Sequence, residues 1–212
     1  MDSRLFLDTL LQRSPPHILE HFRLVLFPMF FAVLLAFPLG VILTRPRYRR
    51  YSGKVLAVLN AGQTIPPLAV IAVFLPVLGL GFRPAVIALT IYALLPIARN
   101  TIAGISSVPE DVKEAARGMG MTSWDVFARV ELLLGLPIIM AGLKTSAVLT
   151  VGTAVLASLV GGRGMGAVIF AGINFFRVEL ILAGTLIIGL MAILLERILT
   201  MLEWLILPRH MR

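Results

Sequence analysis

Several long apolar stretches run through this chain. They approach or exceed the roughly 20 residues that an α-helix needs to cross about 30 Å of hydrocarbon. Of the 212 residues, 58% are hydrophobic and only 14% are charged, whereas a soluble domain carries roughly 25% charged residues. A soluble core does not account for this pattern. The sequence therefore predicts an all-α integral membrane protein with about five transmembrane helices.

The predicted spans form one transmembrane domain over residues 1–212. They lie at about 22–44, 55–80, 84–105, 137–160 and 178–201. Pro66-Pro67 interrupts the second span and predicts a kink or a break there, and Pro96 predicts a kink in the third. Residues 1–21 are too polar for the apolar core of a secretory signal, so we expect no cleaved signal.

Basic residues set the predicted orientation. A cluster at residues 45–54 follows the first span, and Lys and Arg are more frequent in the inner segments than in the outer ones. This places the amino terminus outside and the tail, with Arg209 and Arg212, in the cytoplasm. The net charge of +8 thus has a membrane explanation. No aromatic-basic pattern indicates a nucleic-acid partner.

Residues 106–131, here called the polar segment, concentrate charge between the third and fourth spans. Ser107-Val-Pro-Glu110 and Thr122-Ser-Trp-Asp125 each fit a capping box. An apolar stripe between them favours a helix that ends at Gly118 and Gly120. We predict a helical hairpin on the cytoplasmic face. The alternative is a solvated connector. The stripe comprises Val108, Val112, Ala115, Ala116 and Met119.

Glu114-Ala115-Ala116, followed after three residues by Gly120, resembles the EAA loop of permease subunits of bacterial ATP-binding-cassette importers. The resemblance covers about residues 22–205. It extends to the branch that imports glycine betaine, choline, carnitine and related osmoprotectants. The further motifs are Gln63-Thr-Ile-Pro66, Tyr92 to Thr101, Val130-Glu-Leu, Leu136 to Lys144, Gly152-Thr-Ala and Gly161 to Gly166.

The resemblance implies that the EAA helix inserts into a cleft on a cytoplasmic ATPase and that ATP-driven closure rocks the spans between inward-open and outward-open states. The chain departs from the family pattern at Leu133, where proline is usual. We therefore expect the second helix of the hairpin to run further before the fourth span. The implied coupling residues are Glu114, Ala115, Ala116, Arg117, Gly118 and Gly120.

No G-x4-G-K-[ST] phosphate loop is present, so ATP must be hydrolysed by another subunit, and we expect neither a catalytic site nor a cofactor here. The resemblance implies four partners: ATPase subunits, a second permease copy or paralogue, an extracytoplasmic substrate-binding protein and membrane lipid. It also implies a bacterial inner membrane location.

An importer of another solute, such as methionine, is the alternative. A secondary transporter is disfavoured because no acidic residue lies mid-span; a channel would give the hairpin no ATPase to engage.

Polar residues within the spans have two interpretations. Thr150 and Thr153 share a face of the fourth span with small residues, which indicates either close helix packing or a pore wall. Gln63, Thr64 and Pro66 lie in the broken second span, where irregular backbone either lines a cavity or is buried. We take Gln63 and Thr64 as the better pathway candidates and include Pro66, Thr150 and Thr153 in the wider set.

Several remaining features favour structural roles. His17 and His21 have the spacing of metal ligands, but no third ligand is evident, so a surface pair without metal is predicted. Lys144 is expected to snorkel to the cytoplasmic interface, with Glu196 and Arg197 as anchors. The glycines at 162–166 predict a re-entrant turn or a docking surface for the binding protein. No aromatic cage for a quaternary ammonium is apparent, so that partner should recognise the substrate.

Overall fold

The computed structural model describes residues 3–207, and within that range the chain forms helices and turns without a β-strand. Short π or 3-10 segments at Thr9–Arg13, Arg49–Tyr51, Val126–Glu131 and Ala154–Val160 join or extend the α-helices. The α-helices are α1 (Ser3–Asp8), α2 (Ser14–Thr44), α3 (Ser52–Thr64), α4 (Pro67–Leu78), α5 (Phe82–Ser106), α6 (Glu110–Gly118), α7 (Ser123–Asp125), α8 (Leu132–Thr153), α9 (Met165–Asn174) and α10 (Val178–Ile206).

Four helical runs are long and apolar enough to cross a membrane, and a bent pair raises the number to five. The four runs are Arg4–Thr44, Phe82–Ser106, Ser123–Val160 and Val178–Ile206, and the pair is Arg49–Thr64 with Pro67–Leu78. The prediction of an all-α protein with about five spans is confirmed. The tail residues Arg209 and Arg212 lie outside the described residues.

The second apolar run is broken, as its prolines predict. Its two halves meet at an angle of 88°. Ile65 and Pro66 are extended, with ψ of 130° and 137°, because a residue that precedes proline is driven away from the helical region. Pro67 then begins α4, where its missing N–H leaves no hydrogen bond unmade.

The amino-terminal helix starts well before the apolar run that marks it in the sequence. Helical structure is continuous from Ser3 to Thr44, and its early charges pair along the helix. The Arg13 guanidinium lies 2.7 Å from the Asp8 carboxylate, and Arg23 lies 3.0 Å from Glu20. Such pairing lets a polar stretch extend an apolar helix.

The core lies where α2, α5 and α8 pack together, and small residues allow the helices to approach closely. Gly104 on α5 faces Gly135 on α8. A Cβ atom built on either glycine would lie within 2.7 Å of the other's carbonyl oxygen. The crossing of α5 and α8 therefore requires glycine at both positions.

His21 is wholly buried, so the prediction of a surface histidine pair is wrong. Its Nε2 lies 3.1 Å from the Val151 carbonyl oxygen of α8, and its ring packs beside Gly164. The face of α2 that carries His21 is one of the faces covered by α8, which histidine spacing alone does not reveal. Among residues 3–207 no cluster of three potential ligands could hold a metal ion.

The predicted outer connection, residues 161–177, contains a short apolar helix, α9. Gly161 and Gly164 precede it with φ of +80° and +131°, values that L side chains rarely adopt. The glycine-rich sequence thus turns the chain sharply between α8 and α9. Helix α10 follows α9 in the chain, and the two helices pack against each other.

Candidate functional site

The polar segment forms α6, a turn, and α7, which continues without interruption into α8. The helical run from Ser123 extends to Val160, so the second helix of the hairpin continues through Leu133 into the fourth span. The second half of the polar segment and the fourth span therefore form one continuous helical run, with a π segment at Val126–Glu131.

The first predicted capping box is wrong. Helix α6 begins at Glu110 with Pro109 as its N-cap and no side-chain cap. The Ser107 hydroxyl instead donates to the Gly104 carbonyl oxygen at 2.7 Å, at the end of α5. Ser107 is the C-cap residue of α5, so its side chain bonds to the last turn of that helix and not to the start of α6.

The second capping box is confirmed. The Asp125 backbone N–H donates to the Thr122 hydroxyl oxygen at 3.2 Å, and the Thr122 N–H donates to an Asp125 carboxylate oxygen at 3.3 Å. Each side chain thus satisfies a backbone donor at the start of α7. Of the two predicted terminating glycines, only Gly120 has positive φ, at +86°; Gly118 is the last residue of α6.

Most of the implied coupling residues are exposed. Glu114, Ala115, Arg117, Gly118 and Gly120 all lie on the surface, together with Met119 and Trp124, whose side chains are 74% and 72% exposed. Large exposed apolar side chains beside charged ones are characteristic of interaction surfaces. We call these seven residues the coupling face.

Ala116 differs from the other implied coupling residues because it is buried at 3% exposure. It lies on the side of α6 that packs against the π segment Val126–Glu131, and Val108 is buried as well. The apolar stripe predicted from the sequence is therefore divided. Val108 and Ala116 anchor α6, while Ala115 and Met119 face outward.

Ion pairs hold α6 in shape. The Glu110 carboxylate lies 2.8 Å from the Lys113 ammonium and 3.1 Å from the Arg117 guanidinium. The hydrogen bond from Lys113, with a smaller contribution from Arg117, lowers the pKa of Glu110 below its ordinary value. An acidic first turn and a basic last turn also complement the helix dipole.

A half-buried ion pair joins the polar segment to α2. The Arg45 guanidinium, at the end of α2, lies 2.6 Å from the Glu131 carboxylate and 5.1 Å from the centre of the Phe127 ring. Glu131 is buried. Sequence reasoning missed this contact because Arg45 belongs to a basic cluster that the orientation rule already explains. An acidic residue at the very start of a span was the available signal.

Gln63, Thr64 and Pro66 lie at the bend of the second span. Thr64 and Pro66 are exposed on this chain, whereas Gln63 is half-buried and its Nε2 donates to the Tyr92 carbonyl oxygen at 2.7 Å. Pro96 has no N–H to offer that carbonyl, four residues back along α5. Gln63 therefore replaces a missing helical hydrogen bond, which gives it a structural role.

Thr150 belongs to the core, which favours the packing interpretation of the fourth span. It is 2% exposed, and its hydroxyl donates to the Ser146 carbonyl oxygen at 2.7 Å. Ser146 in turn donates to the Ala93 carbonyl oxygen of α5 at 3.0 Å. Thr150 therefore lines no wall within this chain, while Thr153 is half-buried.

The sequence suggested that Lys144 reaches the membrane interface by itself. In the structure it is paired with a carboxylate. Its ammonium lies 2.5 Å from the Glu203 carboxylate near the end of α10, and both side chains are largely shielded. A lysine within an apolar helix predicts a partner of opposite charge, and Glu203 supplies it. Glu196 and Arg197 are exposed on the same helix.

Comparison with known proteins agrees with this architecture. The family model for the binding-protein-dependent transport system inner membrane component matches residues 36–209. The glycine betaine/carnitine/choline transport system permease protein OpuCB of Bacillus subtilis is 40% identical over 193 residues, or 91% of this chain and 88% of that protein. The choline transport system permease protein OpuBB of the same organism has the same identity and coverage.

Among solved structures, the MetNI methionine ABC transporter in its inward-facing conformation superposes with a TM-score of 0.79. The alignment covers 98% of this chain and 100% of that chain, at 21% sequence identity. At this identity the likeness shows a shared fold.

Proposed function

Because this chain belongs to the family of binding-protein-dependent transport system inner membrane components, we propose that it forms the translocation pathway of an ATP-driven importer for glycine betaine, choline or carnitine. It is a multi-pass inner membrane permease subunit, and in this family the ATPase activity resides in a separate subunit. The observation that carries the substrate class is 40% identity over 91% of the chain to permeases named for these solutes.

We assign coupling to the ATPase to the coupling face. Glu114 supplies a charge, Ala115 and Gly118 leave room for a partner's backbone, and Met119 and Trp124 offer exposed apolar area. Ala116 supports this face from beneath, because it anchors α6 to the π segment. Force applied to α6 would pass through this contact into α8, which is continuous with the second half of the polar segment.

The Arg45–Glu131 pair offers a second route for the same force. It ties the end of α2 to the start of α8 at 2.6 Å, so a displacement of the polar segment would move both helices. Two helices that move together supply the rigid-body rocking that alternating access requires. This contact explains how one small docking helix would act on several spans.

The pathway itself is assigned to the bend of the second span, with a second permease subunit opposite. Thr64 and Pro66 are exposed there, and non-helical backbone at membrane depth is tolerated only against protein or a water-filled cavity. A second copy or a paralogue of this chain would provide that environment. Gln63 contributes by holding α3 to α5, and Thr153, half-buried at the end of α8, is a further pathway candidate. Substrate recognition is assigned to an extracytoplasmic binding protein docked on the outer face.

Reconstitution of the permease with its ATPase and binding protein in proteoliposomes tests the proposal. Uptake of labelled glycine betaine, choline, carnitine and methionine would be measured with ATP inside, and separately with an ion gradient alone. We expect ATP-dependent uptake of at least one quaternary ammonium solute. Uptake of methionine alone would refute the substrate class, and uptake driven by an ion gradient without ATP would refute the transport mechanism.

A further inference from the structure

A cleft of about 620 Å³ opens beside the polar segment, between the turn that follows α2 and the start of α6. Its charged lining comes from both sides: Arg45 and Arg49 from the turn, Glu110, Lys113 and Arg117 from α6, and Glu131 from the base of α8. Arg45, Arg117 and Glu131 also belong to the proposed coupling route, but that route assigns no ligand to the cleft itself.

The cleft has an excess of positive charge. Both carboxylates are already engaged, Glu131 with Arg45 at 2.6 Å and Glu110 with Lys113 at 2.8 Å and Arg117 at 3.1 Å. Four cations thus face two carboxylates. Among residues 3–207, Arg49 has no carboxylate within ion-pair distance, so its guanidinium is available to an anion.

The position of the cleft indicates which anion. Arg45 directly follows the long apolar helix that ends at Thr44, so the turn lies where hydrocarbon gives way to headgroups. Tyr48 and Tyr51 on the turn are about 40% exposed, as is usual for tyrosines at a membrane interface. No acidic residue occurs between Glu20 and Glu110, so α2, the turn, α3, α4 and α5 bring no carboxylate near a phosphate here, and the two carboxylates that line the cleft are both in ion pairs.

The two neighbouring arginines are held elsewhere. Arg47 lies 5.7 Å from the centre of the Tyr48 ring, and Arg50 lies 4.7 Å from the centre of the Tyr51 ring. Neither lines the cleft. The turn therefore separates two kinds of cation: those stacked on interfacial tyrosines, and Arg49, which faces the cleft.

We propose that this cleft binds the headgroup phosphate of an anionic phospholipid, with Arg49 as its principal ligand. A guanidinium binds a phosphate through paired N–H donors, and Lys113 and Arg117 add positive charge from the opposite wall. The lipid would then bridge the turn after α2 and the helix that carries the coupling face.

Native mass spectrometry of the assembled transporter tests this site, with phosphatidylglycerol and phosphatidylcholine added in turn. Arg49→Gln is compared with Arg50→Gln, which removes the same charge from the adjacent residue outside the cleft. One charge-assisted contact is worth about tenfold in affinity. We expect Arg49→Gln to lose about that much phosphatidylglycerol binding, whereas Arg50→Gln and the wild type retain it and phosphatidylcholine binds weakly to all three.

Equal losses in the two variants would overturn the site, because they would indicate a general attraction of the basic turn for anionic lipid. Displacement of phosphatidylglycerol by inorganic phosphate at the same concentration would also overturn it, in favour of a site for soluble anions. Arg49→Lys keeps the charge without the paired donors and should bind with intermediate affinity. Thermal midpoints measured alongside confirm that each variant is folded.

Discussion

The Arg45 guanidinium and the Glu131 carboxylate meet at 2.6 Å although the residues are 86 positions apart in the chain. Glu131 is buried, whereas the Arg45 side chain is 35% exposed. Loss of Arg45 would therefore leave a buried carboxylate without compensation, at a cost of up to roughly 3 kcal/mol, whereas loss of Glu131 would leave a guanidinium that water can still reach. We expect Arg45→Gln to lower the thermal stability of the purified permease clearly, and Glu131→Gln to lower it less.

The double variant distinguishes this pair from two independent effects. Arg45→Gln with Glu131→Gln should cost less than the sum of the single changes, by about 1–3 kcal/mol, because neither charge is then left alone. Unfolding in detergent, followed for all four proteins, measures this coupling. Strict additivity would mean that the two side chains do not stabilise one another.

Gln63 and Pro96 are expected to be coupled through the Tyr92 carbonyl. Gln63→Ala leaves that half-buried acceptor without a donor, at a cost of up to about 1–3 kcal/mol. Pro96→Ala restores the helical N–H, so Gln63→Ala should cost much less in that background. Thermal unfolding of the four combinations measures the difference. An equal cost of Gln63→Ala in both backgrounds would show that Gln63 acts otherwise, for example in the pathway.

Asp125 should make the start of α7 sensitive to acid. The Thr122 hydroxyl donates to its carboxylate at 2.5 Å, and this bond, with a smaller contribution from Arg129, lowers the pKa of Asp125 below its ordinary value. A lowered pKa in the folded state means that the cap stabilises the helix above about pH 3.9 and is lost as the pH falls through the folded value.

Trp124 reports this transition, since it lies beside Asp125 with its ring 5.4 Å from that of Phe127. In a Trp204→Phe background, the fluorescence of Trp124 should change with a midpoint below pH 3.9. Thr122→Val removes the hydroxyl and should move the midpoint upward. A midpoint that is unchanged by Thr122→Val would contradict the role of the cap.

Gly135 and Gly189 offer a matched pair of substitutions. A methyl group at Gly135 would lie 2.6 Å from the backbone oxygen of Gly104, whereas at Gly189 it meets nothing within 4 Å. Gly135→Ala should therefore cost about 1–3 kcal/mol by forcing α5 and α8 apart. Gly189→Ala should be neutral or stabilising by up to about 1 kcal/mol. Thermal midpoints measured under identical conditions test the contrast.

The sequence predicted the helical spans, the break at Pro66-Pro67 and the Thr122 cap because each depends on local chemistry. It misassigned Ser107 because a capping pattern does not reveal where the preceding helix ends. It also placed His21 on the surface and left Thr150 ambiguous. On a helix that is apolar all round, only tertiary packing decides which face is buried. The Arg45–Glu131 contact likewise depends on how distant helices meet.

One measurement tests coupling through the exposed face of α6 most directly. In the reconstituted transporter, the loaded binding protein should stimulate ATP hydrolysis, and the size of that stimulation is measured. Ala115→Trp places bulk on the coupling face. Gly53→Trp places the same bulk on α3, where a side chain meets nothing within 4 Å. Loss of a central docking contact is worth tenfold or more. We expect Ala115→Trp to insert and assemble but to lose about tenfold or more of the stimulation. We expect Gly53→Trp to behave as the wild type. Full stimulation in Ala115→Trp would contradict the assignment of α6 as the contact that transmits ATPase motion.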